Sequence, residues 1–141
     1  MKNPGVIAIA AILTGIAMPG HAQKMSRSEL QSKGATIVAK DELATLVKGA
    51  TLRWTNTVDG SAIQIQLEND GSYAGHASAA SGGSTGFPLS GTWQVTNDGK
   101  FCRAQVIRAK TDKICWTLHK LGDKYFFSVG SGSAVVLNIS K

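Results

Sequence analysis

The sequence predicts a mainly β protein: an antiparallel meander of about eight strands, closed or partly open as a small barrel, with a short N-terminal helix packed on it. Three observations lead there. From residue 50 onward, apolar residues recur at every second position, the period of a strand with one wet and one dry face. Asp-Gly pairs at 59–60, 70–71 and 98–99 separate these runs, and Asp-Gly is a preferred filling of tight hairpins. The composition adds a limit: 17% charged residues and 16 glycines in 141 positions argue against a coiled coil, a helical bundle or a charged disordered tail. At 43% hydrophobic, the chain suffices for one domain of ordinary size.

Residues 1–22 read as a secretory signal peptide. Lys2 supplies the positive start, Val6–Met18 is an apolar run too short to span a bilayer comfortably, and Pro19 ends it. Gly20 and Ala22 place small residues at the −3 and −1 positions of a cleavage site, so the mature chain is expected to begin at Gln23 and not to span a membrane. The domain is then 23–141, with a helical segment over 23–48 and the β meander over 49–141.

Ser26-Arg27-Ser28-Glu29 fits a capping box that opens a short helix ended by Gly34. Lys40–Lys48 makes a second: Asp41 and Glu42 occupy its first turn, Leu43, Leu46 and Val47 form one apolar stripe, and Gly49 follows as the C′ residue. Such a helix suits the covering of one open end of a sheet. The strands are expected at 50–56, 61–68, 72–78, 89–96, 100–107, 113–119, 124–129 and 134–139. Between the third and fourth lies a longer Gly/Ser-rich loop, Ala79–Pro88. Trp54, Tyr73, Trp93, Phe101, Trp116, Tyr125 and Phe127 fall mostly on apolar faces and read as core. Eight strands with single-sided apolar faces must close on themselves or stack as two sheets.

Cys102 and Cys115 are the two cysteines, and in an exported chain they most simply form one disulfide. No metal-ligand spacing accompanies them, and no cofactor is expected. If they bond directly across the 100–107/113–119 hairpin, paired positions share a constant sum. Phe101 then faces Trp116, and Arg103 faces Ile114. If Trp116 points inward, so do Arg103 and Gln105. An inward arginine needs a partner, either an acid of the protein or an anionic ligand, unless a bulge frees it to solvent.

An ordered series runs through the chain: Gly49-Ala50-Thr51 with Trp54, Asp70-Gly71-Ser72-Tyr73 with Gly75, Gly91-Thr92-Trp93 with Asp98-Gly99-Lys100, then Cys102 and Cys115-Trp116. It resembles a family of small exported bacterial β-rich domains of uncharacterised function, over roughly residues 40–139. The Gly-x-Trp element is similar to lipocalins and avidins by architecture alone.

Catalytic patterns are thin. His76 and His119 are the histidines of the expected mature chain, no Gly-x-Ser-x-Gly elbow is present, and Asp59, Asp70, Asp98 and Asp123 sit in turns where conformation explains them. The expectation is a protein that is not an enzyme. Charge is uneven: residues 49–99 set Arg53 against four acids, whereas 100–124 set seven bases against Asp112 and Asp123. That basic hairpin suits an acidic protein or an anionic envelope component, and equally the solubility of an edge; nucleic acid is not an expected partner of an exported chain. The candidate binding residues are Arg103, Gln105, Arg108, Lys110, Lys113 and Trp116. The leading functional expectation is a non-catalytic periplasmic or secreted binding module, an inhibitor of another protein being one form of it. The alternative is a lipocalin-like carrier of a small, anionic ligand in the barrel interior, which a large internal cavity would favour.

Overall fold

A computed structural model describes residues 24–79, 86–107 and 109–141. The expected signal peptide and most of the 79–88 loop lie outside the described residues. Eight strands form the closed barrel: β3 (Thr51–Thr55), β4 (Ala62–Leu67), β5 (Ser72–Ser78), β6 (Phe87–Val95), β7 (Phe101–Ile107), β8 (Lys110–Leu121), β9 (Lys124–Ser128) and β10 (Ala134–Ser140). Each pairs antiparallel with the next, and β10 returns to pair with both β9 and β3. The expected meander is therefore a closed barrel.

The N-terminal segment differs from the purely helical expectation. It contains two helices, α1 (Arg27–Ser32) and α2 (Lys40–Val47), and two short strands, β1 (Lys24–Met25) and β2 (Thr36–Ile37). β1 pairs with β10 and β2 with β8. Two-residue strands carry no periodicity to read, and their hydrogen-bond partners lie about a hundred residues away. The capping serine is in place: the Glu29 backbone N–H donates to Ser26 Oγ at 3.1 Å. Leu30 then packs on the outer face of the barrel with Phe126 and Ala134.

α2 plugs one end of the barrel. Leu43 and Val47 are buried in the core with Val38, Leu52 and Leu67. Lys40 Nζ donates to Asn97 Oδ1 and Lys141 Nζ to the Thr45 carbonyl, tying the helix to the strand connections there. Gly49 has a φ of 71°, the left-handed conformation that lets the chain turn from α2 into β3.

Interior positions follow the alternation in sequence. Leu52 and Trp54, Ile63, Ile65 and Leu67, Tyr73, Phe101, Trp116, Leu118, Phe127, Val135 and Leu137 face inward in one cluster. Trp116 lies 5.0 Å from Trp54 and 4.4 Å from Phe127 between ring centroids. Gly91 faces inward too, and a Cβ there would come within 2.0 Å of the Ala104 carbonyl oxygen, so β6 can bend against β7 only with glycine at this position.

That bend matters. The β6–β7 ladder runs from Val95–Phe101 to Gly91–Gln105 and is not continued among the described residues. Among the described residues, 87–90 of β6 pair only with β5, and Val106 and Ile107 only with β8. The barrel is thus sealed at the α2 end and slit between β6 and β7 at the other. Pro88, which has no N–H to donate, sits on the slit edge.

Candidate functional site

The disulfide sets the hairpin register. Cys102 and Cys115 are bonded across β7 and β8 with Cα atoms 4.0 Å apart, and Phe101 opposes Trp116 while Arg103 opposes Ile114. No bulge interrupts the pairing, so the side chains of Arg103, Gln105 and Trp116 share the inward face.

Arg103 is partly buried in the open half of the lumen. Its guanidinium carbon lies 5.7 Å from the ring centroids of both Trp54 and Trp116. Its Nη1 donates to Gln105 Oε1 at 3.3 Å, a long bond. Its Nε is buried with no hydrogen-bond partner among the described residues. Among the described residues, the ion pairs are Lys100–Asp98 and Lys120–Glu42, and neither involves Arg103. The aromatic faces offset part of the desolvation, by about 0.5–2 kcal/mol each. They accept no hydrogen bond in the plane of the guanidinium, so its compensation is incomplete.

Two cavities meet at this side chain. The larger, about 520 Å³, opens at the slit and is lined by Ile63, Ala77, Phe87, Leu89, Gln105 and Val106, with Asn56, Asp59 and Ser61 at its rim. The smaller, about 240 Å³, is walled by Trp54, Ile114, Trp116, Phe127 and Val135. Arg103 borders both. The smaller cavity is walled mainly by apolar side chains, the larger mixes apolar walls with Asn56, Asp59, Ser61 and Ser90, and one guanidinium stands between them with the Gln105 amide beside it.

The remaining sequence candidates do not join this group. Lys110 and Lys113 are exposed, and Lys113 lies on the outer face beside Cys102 and Gln94. Arg108 lies outside the described residues. The basic hairpin thus divides into three residues that converge in the lumen and lysines spread over the surface. Trp54, Ile63 and Phe127 were legible only as core. The slit carried one unused signal, Pro88 followed by Gly91 within a strand, a pairing that argues against a fully laddered central strand.

The histidines stand apart. His76 is exposed in an outer groove of about 390 Å³, in a cross-strand row with Gln64, Arg53 and Asn138. Arg53 there is already held by Gln64 Oε1 and Ser140 Oγ at 2.9 Å each. His119 is buried on the outer face of the barrel, its Nε2 3.0 Å from Ser128 Oγ. Burial pushes its pKa below the ordinary 6.5, and the nearby Arg27 charge pushes it the same way. Among the described residues, neither histidine is within ion-pair distance of an acid.

The family model described as "Protein of unknown function (DUF995)" matches residues 12–127, most of the chain. The chain belongs to the DUF995 family. The match begins earlier than the expected span of 40–139 and ends within β9. The DUF995 span includes the disulfide, Arg103, Gln105 and the Trp54–Trp116 pair, but leaves out β10, the strand that closes the barrel. No curated protein and no solved structure matches the chain.

Proposed function

We infer that this protein is an exported, non-catalytic binding module that takes a small amphipathic anion into the open half of its barrel. One observation carries the reading: Arg103 stands between two cavities, one mainly apolar and one of mixed lining, and is in no ion pair among the described residues. A partly buried guanidinium left so is stabilised by an incoming acid group, and its Nη nitrogens and the Gln105 amide N–H groups are donors for one. The apolar side chains of the lining, Ile63, Phe87 and Leu89 among them, accept the rest of the ligand, and about 520 Å³ falls within the usual range for small-molecule sites. Export rests on the signal-like residues 1–22 and on a disulfide compatible with an oxidising compartment. Recognition of an acidic protein through the basic hairpin has less support, because Lys110 and Lys113 are exposed on the hairpin and line neither of the two lumen cavities.

Trp54 and Trp116 make the test direct, since both flank the guanidinium. Titration with decanoate or decyl phosphate is expected to change the tryptophan emission saturably, whereas decyltrimethylammonium leaves it unchanged. In Arg103→Met the anion response is expected to fall by at least about tenfold, while the empty protein unfolds at the same or a higher denaturant concentration. Equal responses to anionic and cationic amphiphiles, or undiminished binding by Arg103→Met, would sink the reading.

A further inference from the structure

The described residues include five large apolar side chains that are exposed: Ile37, Val58, Phe87, Val106 and Val129. Four of them lie at one end of the barrel. Val58 is in the β3–β4 turn, Phe87 opens β6, Val106 is near the end of β7, and Val129 follows β9. All of these are at the slit end, opposite α2. The other end presents charge instead, with Lys100 beside Asp98 and Lys120 beside Glu42.

The four residues come from four separate connections and stand as tips around an opening. Val58 is 93% exposed and Val106 66%. A folded protein partner needs a continuous surface against which side chains interdigitate. Exposed apolar side chains gathered at one end, beside basic ones, suit a soft phase that each can enter, as residues at a membrane interface do. The charges around them favour one sign. Arg27, whose Nη1 donates to the Gly130 carbonyl in the β9–β10 turn, joins Lys110 and Lys113 of the β7–β8 hairpin and the Arg103 guanidinium within the opening, against Asp59 and Asp112. An excess of basic side chains beside an apolar ring is the complement of anionic headgroups over an acyl layer.

We propose that the open end of the barrel docks on the surface of an anionic lipid bilayer, with Val58, Phe87, Val106 and Val129 entering the interface and the β6–β7 slit facing the lipid. Phe87 and Val106 form the two lips of the slit, so docking sets the cavity mouth against the bilayer. The docking itself needs no ligand in the cavity and is measured without one. Its failure therefore leaves the ligand reading to its own titration.

Orientation is the informative readout, because the apolar run Val6–Met18 of the full chain can itself hold the protein on vesicles. Val58→Cys in the full, oxidised chain is labelled with an environment-sensitive fluorophore, and Asp123→Cys at the α2 end is labelled as its counterpart. Phosphatidylcholine vesicles containing phosphatidylglycerol are expected to shift the position-58 emission to the blue and leave position 123 water-like. Pure phosphatidylcholine and high salt weaken the shift. Adding Phe87→Asp or Val129→Asp, both at exposed positions, is expected to raise the lipid concentration for half-maximal response by at least about tenfold. The proposal is overturned if position 58 stays water-like on every vesicle or if both labels respond alike. It is equally overturned if neither acidic variant changes the response, or if the open end binds a protein partner while ignoring lipid.

Discussion

Arg103 and His119 show how the same barrel treats two basic side chains. Arg103 faces the lumen and meets tryptophan faces instead of acceptors. His119 faces outward, yet the N-terminal segment covers it, and Ser128 is its hydrogen-bond partner. Because its folded-state pKa is depressed, the neutral ring is the form the fold accommodates. Above the ordinary value of 6.5 both folded and unfolded states hold it neutral, and it contributes no pH dependence. Below that value the unfolded chain takes up the proton first, so stability falls as pH drops towards the lowered folded pKa. Denaturant midpoints measured from about pH 7.5 to about pH 5 are expected to decline in the wild type and to decline less in His119→Gln. Parallel slopes would reject this role. The turn carboxylates act in a different window: hydrogen bonds from Ser61, Ser72 and Thr96 hold Asp59, Asp70 and Asp98 below the ordinary 3.8.

At the scale of elements, turn chemistry and cross-linking divide the work. Gly60, Gly71 and Gly99 have φ values of 73°, 89° and 79°, and the aspartate before each is hydrogen-bonded within its own turn. These local signals need no tertiary help, which is why hairpins were readable at all three. The β7–β8 hairpin carries the disulfide, and with it the register that turns Arg103 inward. A bond closing a loop with sequence separation 13 constrains the unfolded chain. Cys102→Ser is expected to lower the unfolding free energy by about 2–5 kcal/mol, read from urea denaturation of the oxidised wild type and the variant. An unchanged midpoint would mean that strand pairing alone holds this hairpin.

For the whole molecule, closure depends on the last strand. β10 pairs with β9 on one side and β3 on the other, and contributes Val135 and Leu137 to the core. Without it two strand edges and the aromatic cluster around Trp116 would be open to water. A chain ending at Gly132 is therefore expected to lose its near-ultraviolet circular dichroism and to aggregate, although it contains all of residues 12–127. A soluble, cooperatively unfolding truncation would show that the barrel tolerates an opening at β10. Closure also explains the polarity of the structure: α2 fills one end, so the lumen opens at the other.

Local patterns in the chain specify the alternation of the strands, the hairpin turns, the α2 stripe with its terminal glycine, and the 102–115 register. All of these follow from interactions between near neighbours, or from two cysteines that have only each other. Tertiary structure alone decided that β10 closes the ring, that β1 and β2 add to it, and that β6 leaves β7 beyond Gly91. It also decided that Arg103 lies between Trp54 and Trp116 and, among the described residues, in no ion pair. Those outcomes depend on which distant side chains share an interior. In a closed barrel that is set by strand tilt and end-plugging across the whole ring, which no local period encodes.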